Sequence, residues 1–202
     1  MSGKFIVFEG IDGSGKSTQT ELLKEYLEEK GIKVWLTKEP TDGQTGQLLQ
    51  KIQKGAFKDY FTDPAEFRKF MTYLYAADRV GHDQQIDQHL QNGEWVICDR
   101  YKYSTYAYNK MRLVSYEVFE HFGTADLPLF IKIPVDQALD RIHTRGKTEE
   151  IFENKEYLEG VNSNYEILVD DDKLIEIDGT GAAEEVFGRI KKVVDKLIEE
   201  NV

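Results

Sequence analysis

The run Gly10-Ile11-Asp12-Gly13-Ser14-Gly15-Lys16-Ser17 has the spacing G-x-x-x-x-G-K-[ST]. Its chemistry is phosphate binding. The glycines let consecutive backbone N–H groups curl around a phosphate, and the N-terminus of a following helix adds partial positive charge. Lys16 can reach the β- and γ-phosphates, and the Ser17 hydroxyl can take a position on Mg²⁺. Residues Gly10 to Thr18 are therefore the candidate site for a nucleoside triphosphate and its metal. Three classes of protein use such a loop: switch GTPases, ATP-driven motors and small-molecule kinases. A GTPase reads guanine with N-K-x-D, and neither Asn109-Lys110-Met111-Arg112 nor Asn154-Lys155-Glu156-Tyr157 fits. A motor ends an apolar strand in Asp-Glu, whereas Trp95-Val96-Ile97-Cys98 runs into Asp99-Arg100. An arginine there suits a second anionic substrate rather than a water-activating carboxylate.

The elements that must hold these residues alternate. Lys4–Phe8, Ile32–Thr37, Glu94–Asp99, Leu129–Ile133 and Leu174–Ile177 are short, apolar and strand-like. Between and after them, helical patterns cover Lys16–Lys30, 45–54, 64–91, 102–110, 114–122, Val135–Thr144, 153–169 and Ala182–Glu200. Asp63 and Pro64 read as cap and first-turn residues of the longest helix, and Gly31 as the stop of the first. This alternation predicts one α/β domain, a five-stranded parallel sheet with helices on both faces. Ligands of such sheets bind beyond the carboxyl ends of the strands, so the chemistry belongs after Phe8, Thr37, Asp99, Ile133 and Ile177.

Composition narrows the partners. With 40% apolar and 31% charged residues, the chain of 202 residues has the makings of a folded core. Its net charge of −11 argues against sequence-independent binding of nucleic acid, and any anionic substrate must be drawn in by a local cluster of Lys and Arg. A single cysteine, Cys98, excludes an intramolecular disulfide and a cysteine zinc site, and its apolar neighbours make it a small buried side chain. Fully apolar runs reach about four residues where a membrane span needs about 20. A strand-like run begins within four residues of Met1, which leaves no room for a signal peptide and makes a cytoplasmic protein the expectation.

Taken together, the blocks Phe8–Gln19, Thr37-Lys38-Glu39-Pro40, Ala77-Asp78-Arg79, Asp99-Arg100-Tyr101, Ser104–Tyr108, Arg141 with Arg145-Gly146, and Ile177-Asp178-Gly179 resemble the thymidylate kinases over about residues 4 to 190. The resemblance implies a P-loop kinase fold with a mobile lid, near 144–153, and transfer of the γ-phosphoryl group of ATP to dTMP with Mg²⁺. It assigns Arg79 and Arg100 to the acceptor monophosphate, Tyr75 and Tyr108 to the base and sugar, Ser104 and Thr105 to the pyrimidine edge, and Glu39 and Pro40 to the acceptor site. By the same resemblance Asp12 is expected to face the acceptor sugar, Asp99 to hold Mg²⁺ through water beside Ser17, Arg141 to serve the ATP side, and Arg145 to bring lid charge to the transferring group. Glu150 stands where part of the family carries a second lid arginine, so lid catalysis rests mainly on Arg145, with Arg141 or Lys147 as helpers.

Each assignment has a structural alternative. Arg79 can pair with Asp78 or Asp83 on its own helix, Arg100 can belong to a structural ion pair, Asp12 can be satisfied by loop N–H groups, Asp99 can be a cap, and the basic residues from Arg145 can be a solvated helix end. Two other functions remain open at this level: a kinase of another (deoxy)nucleotide or deoxynucleoside, and a nucleotide-binding regulatory protein without transferase activity. The length and apolar content of the helix at 64–91, with Phe67, Phe70, Met71, Leu74 and Tyr75, and the resemblance together predict a homodimer through that helix.

Overall fold

In the computed structural model, residues 3–57, 60–109, 120–144 and 154–200 are described. The elements in chain order are β1 (Phe5–Glu9), α1 (Lys16–Glu29), β2 (Val34–Lys38), α2 (Gln44–Gln53), α3 (Pro64–Gln91), β3 (Trp95–Asp99), α4 (Lys102–Asn109), β4 (Leu127–Lys132), α5 (Val135–Thr144), α6 (Lys155–Asp170), β5 (Ile175–Asp178) and α7 (Ala183–Glu199). They follow the expected alternation, with ends moved by one or two residues. Two of those moves matter. β1 runs on to Glu9, a carboxylate that is fully buried, and β4 begins at Leu127 rather than Leu129. Most of the helix expected at 114–122 lies outside the described residues.

The five strands form one parallel sheet in the order β2-β3-β1-β4-β5. From β1 the chain builds to one side with β2 and β3 and to the other with β4 and β5, so the order reverses at β1. A sheet of this kind opens its crevice at the carboxyl end of the strand where that happens. The register makes the crevice specific: Phe8 lies opposite Asp99, and Glu9 lies opposite Phe130. The loop after β1 and the Asp99-Arg100 corner after β3 therefore leave the sheet side by side.

Both faces of the sheet are covered, and alternate side chains go to opposite sides. Phe5, Val7, Val96, Cys98 and Phe130 pack with Ile86 of α3 and with Leu158, Val161 and Tyr165 of α6. Ile6, Phe8, Ile97, Leu129 and Ile131 pack with Leu23 and Leu27 of α1 and with Val186, Ile190 and Val194 of α7. Cys98 is fully buried. The longest helix starts as its cap residues predict: Asp63 accepts a hydrogen bond from the Ala65 N–H at 2.8 Å, and Pro64 follows.

A third, smaller cluster bears on the expected dimer. Met71, with Phe67, Phe70, Leu74 and Tyr75, packs against Leu49 and Ile52 of α2. Much of the apolar surplus on α3 is thus used inside the chain. Tyr73 and Val80 of the same helix stay exposed, at 52% and 51%.

Leu129, fully buried in the middle of β4, tests the packing on the α1–α7 side of the sheet. Leu129→Ala should cost about 2–5 kcal/mol, from lost transfer energy and the residual cavity. Urea unfolding should show a lower midpoint with an unchanged slope. A loss below about 1 kcal/mol would mean that the sheet face relaxes around the deletion.

Candidate active site

The phosphate loop connects β1 to α1, and its backbone can only be built with glycine at the tight places. Gly10 has φ 144° and Gly13 has φ 79°, both in the region that L side chains rarely adopt. At Gly13 a Cβ would also lie 2.4 Å from the Ala138 carbonyl oxygen of α5. Lys16 opens α1 and folds back over the loop. Its Nζ donates to the carbonyl oxygens of Gly10 at 3.0 Å and Ile11 at 2.9 Å. Burial lowers its pKa to about 8; the charge of Arg100 adds to the shift, and Asp99, Asp12 and Glu9 oppose it.

Ser17 and Asp99 meet at the mouth of the loop, where the Ser17 hydroxyl donates to Asp99 Oδ2 at 2.7 Å. This is a pair of hard oxygen donors, the ligand chemistry that Mg²⁺ takes when substrate phosphates supply the remaining positions. Among the described residues no cluster of three or more His, Cys, Asp or Glu could hold a metal ion. From α5, Arg141 Nη1 reaches the carbonyl oxygens of Gly13 at 3.3 Å and Ser14 at 3.4 Å, on the outer side of the loop.

On the other side of the loop stands Arg100. Its backbone has φ 73°, a conformation costing a non-glycine residue about 1–2 kcal/mol. The guanidinium joins the loop after β1 to α4. Nη2 donates to Asp12 Oδ1 at 2.8 Å and to the Tyr108 hydroxyl at 3.3 Å, and Nη1 donates to Ser104 Oγ at 3.1 Å. Beneath it lies Glu9. One of its oxygens accepts from the backbone N–H groups of Tyr101 (2.8 Å) and Ser104 (3.2 Å), and the other from the hydroxyls of Ser104 (2.6 Å) and Tyr165 (2.8 Å). Burial pushes the Glu9 carboxyl up, while its hydrogen bond from Ser104 and the charge of Arg100 pull the other way. Glu9 thereby pins the start of α4 to the end of β1.

Arg79 is 1% exposed in the middle of α3, and neither Asp78 nor Asp83 is its partner. Asp78 accepts from the backbone N–H and the hydroxyl of Thr41, and Asp83 accepts from the Tyr101 hydroxyl. Arg79 pairs instead with Glu39, which follows β2. Nε donates to both carboxylate oxygens at 2.9 and 3.1 Å, and Nη2 donates to Oε2 and to Thr105 Oγ1 (3.2 Å). Its remaining nitrogen, Nη1, has no hydrogen-bond partner among the described residues.

These groups share one cavity. Asp12, Glu39, Pro40, Tyr75, Arg79, Arg100, Ser104, Thr105 and Tyr108 all line it, from four segments far apart in the chain. The Ser104 hydroxyl is committed to Glu9, and the Tyr75 hydroxyl accepts from Gln53 Nε2 at 2.6 Å. The lining also includes Gln53, Arg68, Met71, Tyr101, Asn109 and Tyr157, which sequence reasoning did not place there. Met71 read as core or interface and does both: it is 3% exposed in the α2–α3 cluster and forms part of the wall. Gln53 and Tyr157 carried no local signal, because packing of α2 and α6 brings them in. Glu9 carried one, a charged residue ending an apolar strand immediately before the loop. Arg145, Lys147 and Glu150, with the rest of the segment at 145–153, lie outside the described residues.

Comparison with known proteins places the whole chain beside one family. A family model described as thymidylate kinase matches residues 8–190. A probable thymidylate kinase of Pyrococcus horikoshii is 40% identical over 171 residues, 82% of each chain. One from Methanococcus aeolicus is 35% identical over 207 residues, 96% of this chain and 98% of its own. A thymidylate kinase of Caldicellulosiruptor saccharolyticus is 35% identical over 214 residues, 98% of this chain and 99% of its own. Among solved structures, Candida albicans thymidylate kinase superposes with a TM-score of 0.76 at 22% identity, covering 96% of this chain and 92% of that one, a likeness of fold.

The lowered pKa of Lys16 makes a pH prediction whose sign can be worked out. The free site loses the Lys16 proton near pH 8, below the 10.5 of an unburied lysine, whereas a bound polyphosphate favours the charged form. The KM for the nucleoside triphosphate should be flat below pH 8 and rise about tenfold per pH unit above it. The unfolded chain holds this proton up to higher pH, so the Lys16 contribution to stability rises with pH between about 8 and 10.5. A triphosphate KM that is flat to pH 10 would show that Lys16 keeps its proton in the free site.

Proposed function

The chain belongs to the thymidylate kinase family, and from that premise we propose how its own residues carry ATP and dTMP through phosphoryl transfer to ADP and dTDP. ATP binds along Gly10–Thr18, its β- and γ-phosphates in the loop and under Lys16, with Arg141 beside the loop on the outer side. Mg²⁺ would supply positive charge to offset that of the donor phosphates, and Ser17 and Asp99 are the residues that would hold it. The acceptor occupies the cavity between Arg79, Tyr75, Tyr108 and Arg100. Arg100 faces the loop through Asp12 and takes the acceptor phosphate at the edge where the two substrates meet. Arg79, its charge already met by Glu39, gives the acceptor one directed hydrogen bond from Nη1.

The attacking oxygen belongs to a phosphate that is already anionic, so no general base is required. Transfer is in line and direct, without a covalent enzyme intermediate. Catalysis is positioning together with stabilisation of charge by Lys16, Arg100 and Arg145. The observation that carries this reading is the single cavity that holds all nine expected acceptor residues and abuts the phosphate loop at the Asp12–Arg100 pair. Two further assignments accompany it. Two copies of the chain pair along α3, where Tyr73 and Val80 are exposed seven residues apart. The enzyme works in the cytoplasm without a membrane or nucleic-acid partner; none of the described helices is long and apolar enough to cross a membrane.

ADP release measured over a panel of monophosphates tests the substrate. dTMP should rank first, dUMP second, and ribo-TMP and the purine monophosphates far behind. One methyl contact is worth about 1–3 kcal/mol, so dUMP should be disfavoured rather than excluded. AMP, CMP or GMP as best acceptor would overturn the assignment, and no ADP release with any acceptor would indicate a binding protein.

The two arginines should separate kinetically. Arg100→Ala should raise the KM for dTMP about tenfold to a hundredfold, matching about 1.5–3 kcal/mol for a lost charge-assisted bond. ATP affinity measured without dTMP should change little. Arg145→Ala should lower kcat and leave the dTMP KM nearly unchanged, because its charge meets only the transferring group. Full kcat in Arg145→Ala would move the lid role to Arg141 or Lys147.

A further inference from the structure

His82 is 2% exposed on α3, three residues after Arg79 and on the same face of the helix. No step of the transfer uses it, yet both of its ring nitrogens are engaged. Nδ1 lies 3.0 Å from Glu39 Oε1, and Nε2 lies 2.8 Å from Thr37 Oγ1. The ring of Trp35 packs edge-on against it at 5.8 Å. A carboxylate oxygen can only accept, so Nδ1 carries the proton. Nε2 shares the second hydrogen bond with the Thr37 hydroxyl, and the two partners together fix the orientation of the ring.

We propose that His82 is a positioning residue for dTMP binding: it locks the Glu39 carboxylate so that Arg79 keeps Nη1 turned to the acceptor. Glu39 Oε1 accepts from His82 Nδ1 on one side and Arg79 Nε on the other, and Oε2 takes Arg79 Nε and Nη2. Held at both oxygens, the carboxylate cannot turn, and it engages the Nε–Nη2 edge of the guanidinium. Nη1 is left without a hydrogen-bond partner among the described residues, on a side chain that lines the cavity. Without His82 the carboxylate is free to rotate about its terminal bond and to draw Nη1 away from the acceptor. Thr37, at the far end of the chain of bonds, fixes the ring that fixes the carboxylate. This rests on the reading of the cavity as the dTMP site.

Two substitutions divide the ring. His82→Asn places an amide N–H where Nδ1 stands and keeps the bond to Glu39. His82→Gln reaches toward the Nε2 position and keeps only the bond to Thr37. The proposal expects His82→Gln and His82→Ala to raise the dTMP KM about tenfold to a hundredfold, with His82→Asn within about threefold of the parent. kcat and the ATP KM should hold within about threefold in all three. Equal dTMP KM values for Asn and Gln, or a loss that falls on the ATP KM, would overturn it. If His82→Ala does not fold, the Asn–Gln comparison decides alone. Nitrogen-15 NMR of the ligand-free protein supplies a readout independent of substrate: the Nδ1–H tautomer is expected, and an Nε2–H or exchanging ring overturns the proposal even where dTMP is the acceptor. Should the acceptor panel select another monophosphate, the Asn–Gln comparison is read on that KM, which keeps failure of the substrate assignment distinct from failure of the positioning role.

Discussion

The parallel register of β1 and β3 is the constraint on which the site depends. With Phe8 opposite Asp99, the glycine-rich loop after β1 and the Asp99-Arg100 corner leave the sheet at one level. Hydrogen bonds continue past the strands: the Arg100 N–H donates to the Phe8 carbonyl oxygen at 2.9 Å, and the Glu39 N–H after β2 donates to the Asp99 carbonyl oxygen at 3.0 Å. Three chain reversals are thereby tied together at their backbones before any side chain is placed. A slip of one residue would turn every strand side chain to the opposite face and pull the Ser17–Asp99 pair apart.

On that frame the protein manages its charges in pairs. The chain is acidic overall, and two of the arginines that line the cavity are paired: Arg100 holds Asp12, and Arg79 holds Glu39. The two pairs differ in environment. The Asp12 side chain is 44% exposed, so water screens its pair with Arg100. Arg79 and Glu39 are buried to within a few per cent, where separating the partners would leave an uncompensated charge. The first pair therefore costs less to separate than the second. Glu9 is a third buried carboxylate with a different task. Among the described residues it forms no ion pair; it accepts from two backbone N–H groups and two hydroxyls, which makes it a joint between β1, α4 and α6.

The helix α3 shows how one element can serve several surfaces. Its buried stripe supplies Asp78, Arg79, His82 and Ile86 toward the sheet and the cavity, its N-terminal half packs on α2, and Tyr73 and Val80 face outward. A long helix with apolar residues on more than one side reads from sequence as an interface. Part of that surplus is taken by α2, a short helix whose packing partner no periodicity announces.

Read by itself, the sequence determined the alternation of strands and helices, the parallel sheet and the phosphate loop, because each is written in local patterns: apolar runs of strand length, helical spacing and glycines at fixed offsets. Through its resemblance to the thymidylate kinases it also marked nine of the residues that line the cavity. Only the tertiary structure decided who pairs with whom. Arg79 found Glu39, forty residues away, instead of the aspartates on its own helix, because the buried face of α3 turns toward the end of β2. Gln53, Arg68, Asn109 and Tyr157 joined the cavity because helices distant in sequence converge there. Periodicity tells a helix which face to bury; which carboxylate waits beneath that face is set by sheet order and register, which no local pattern encodes.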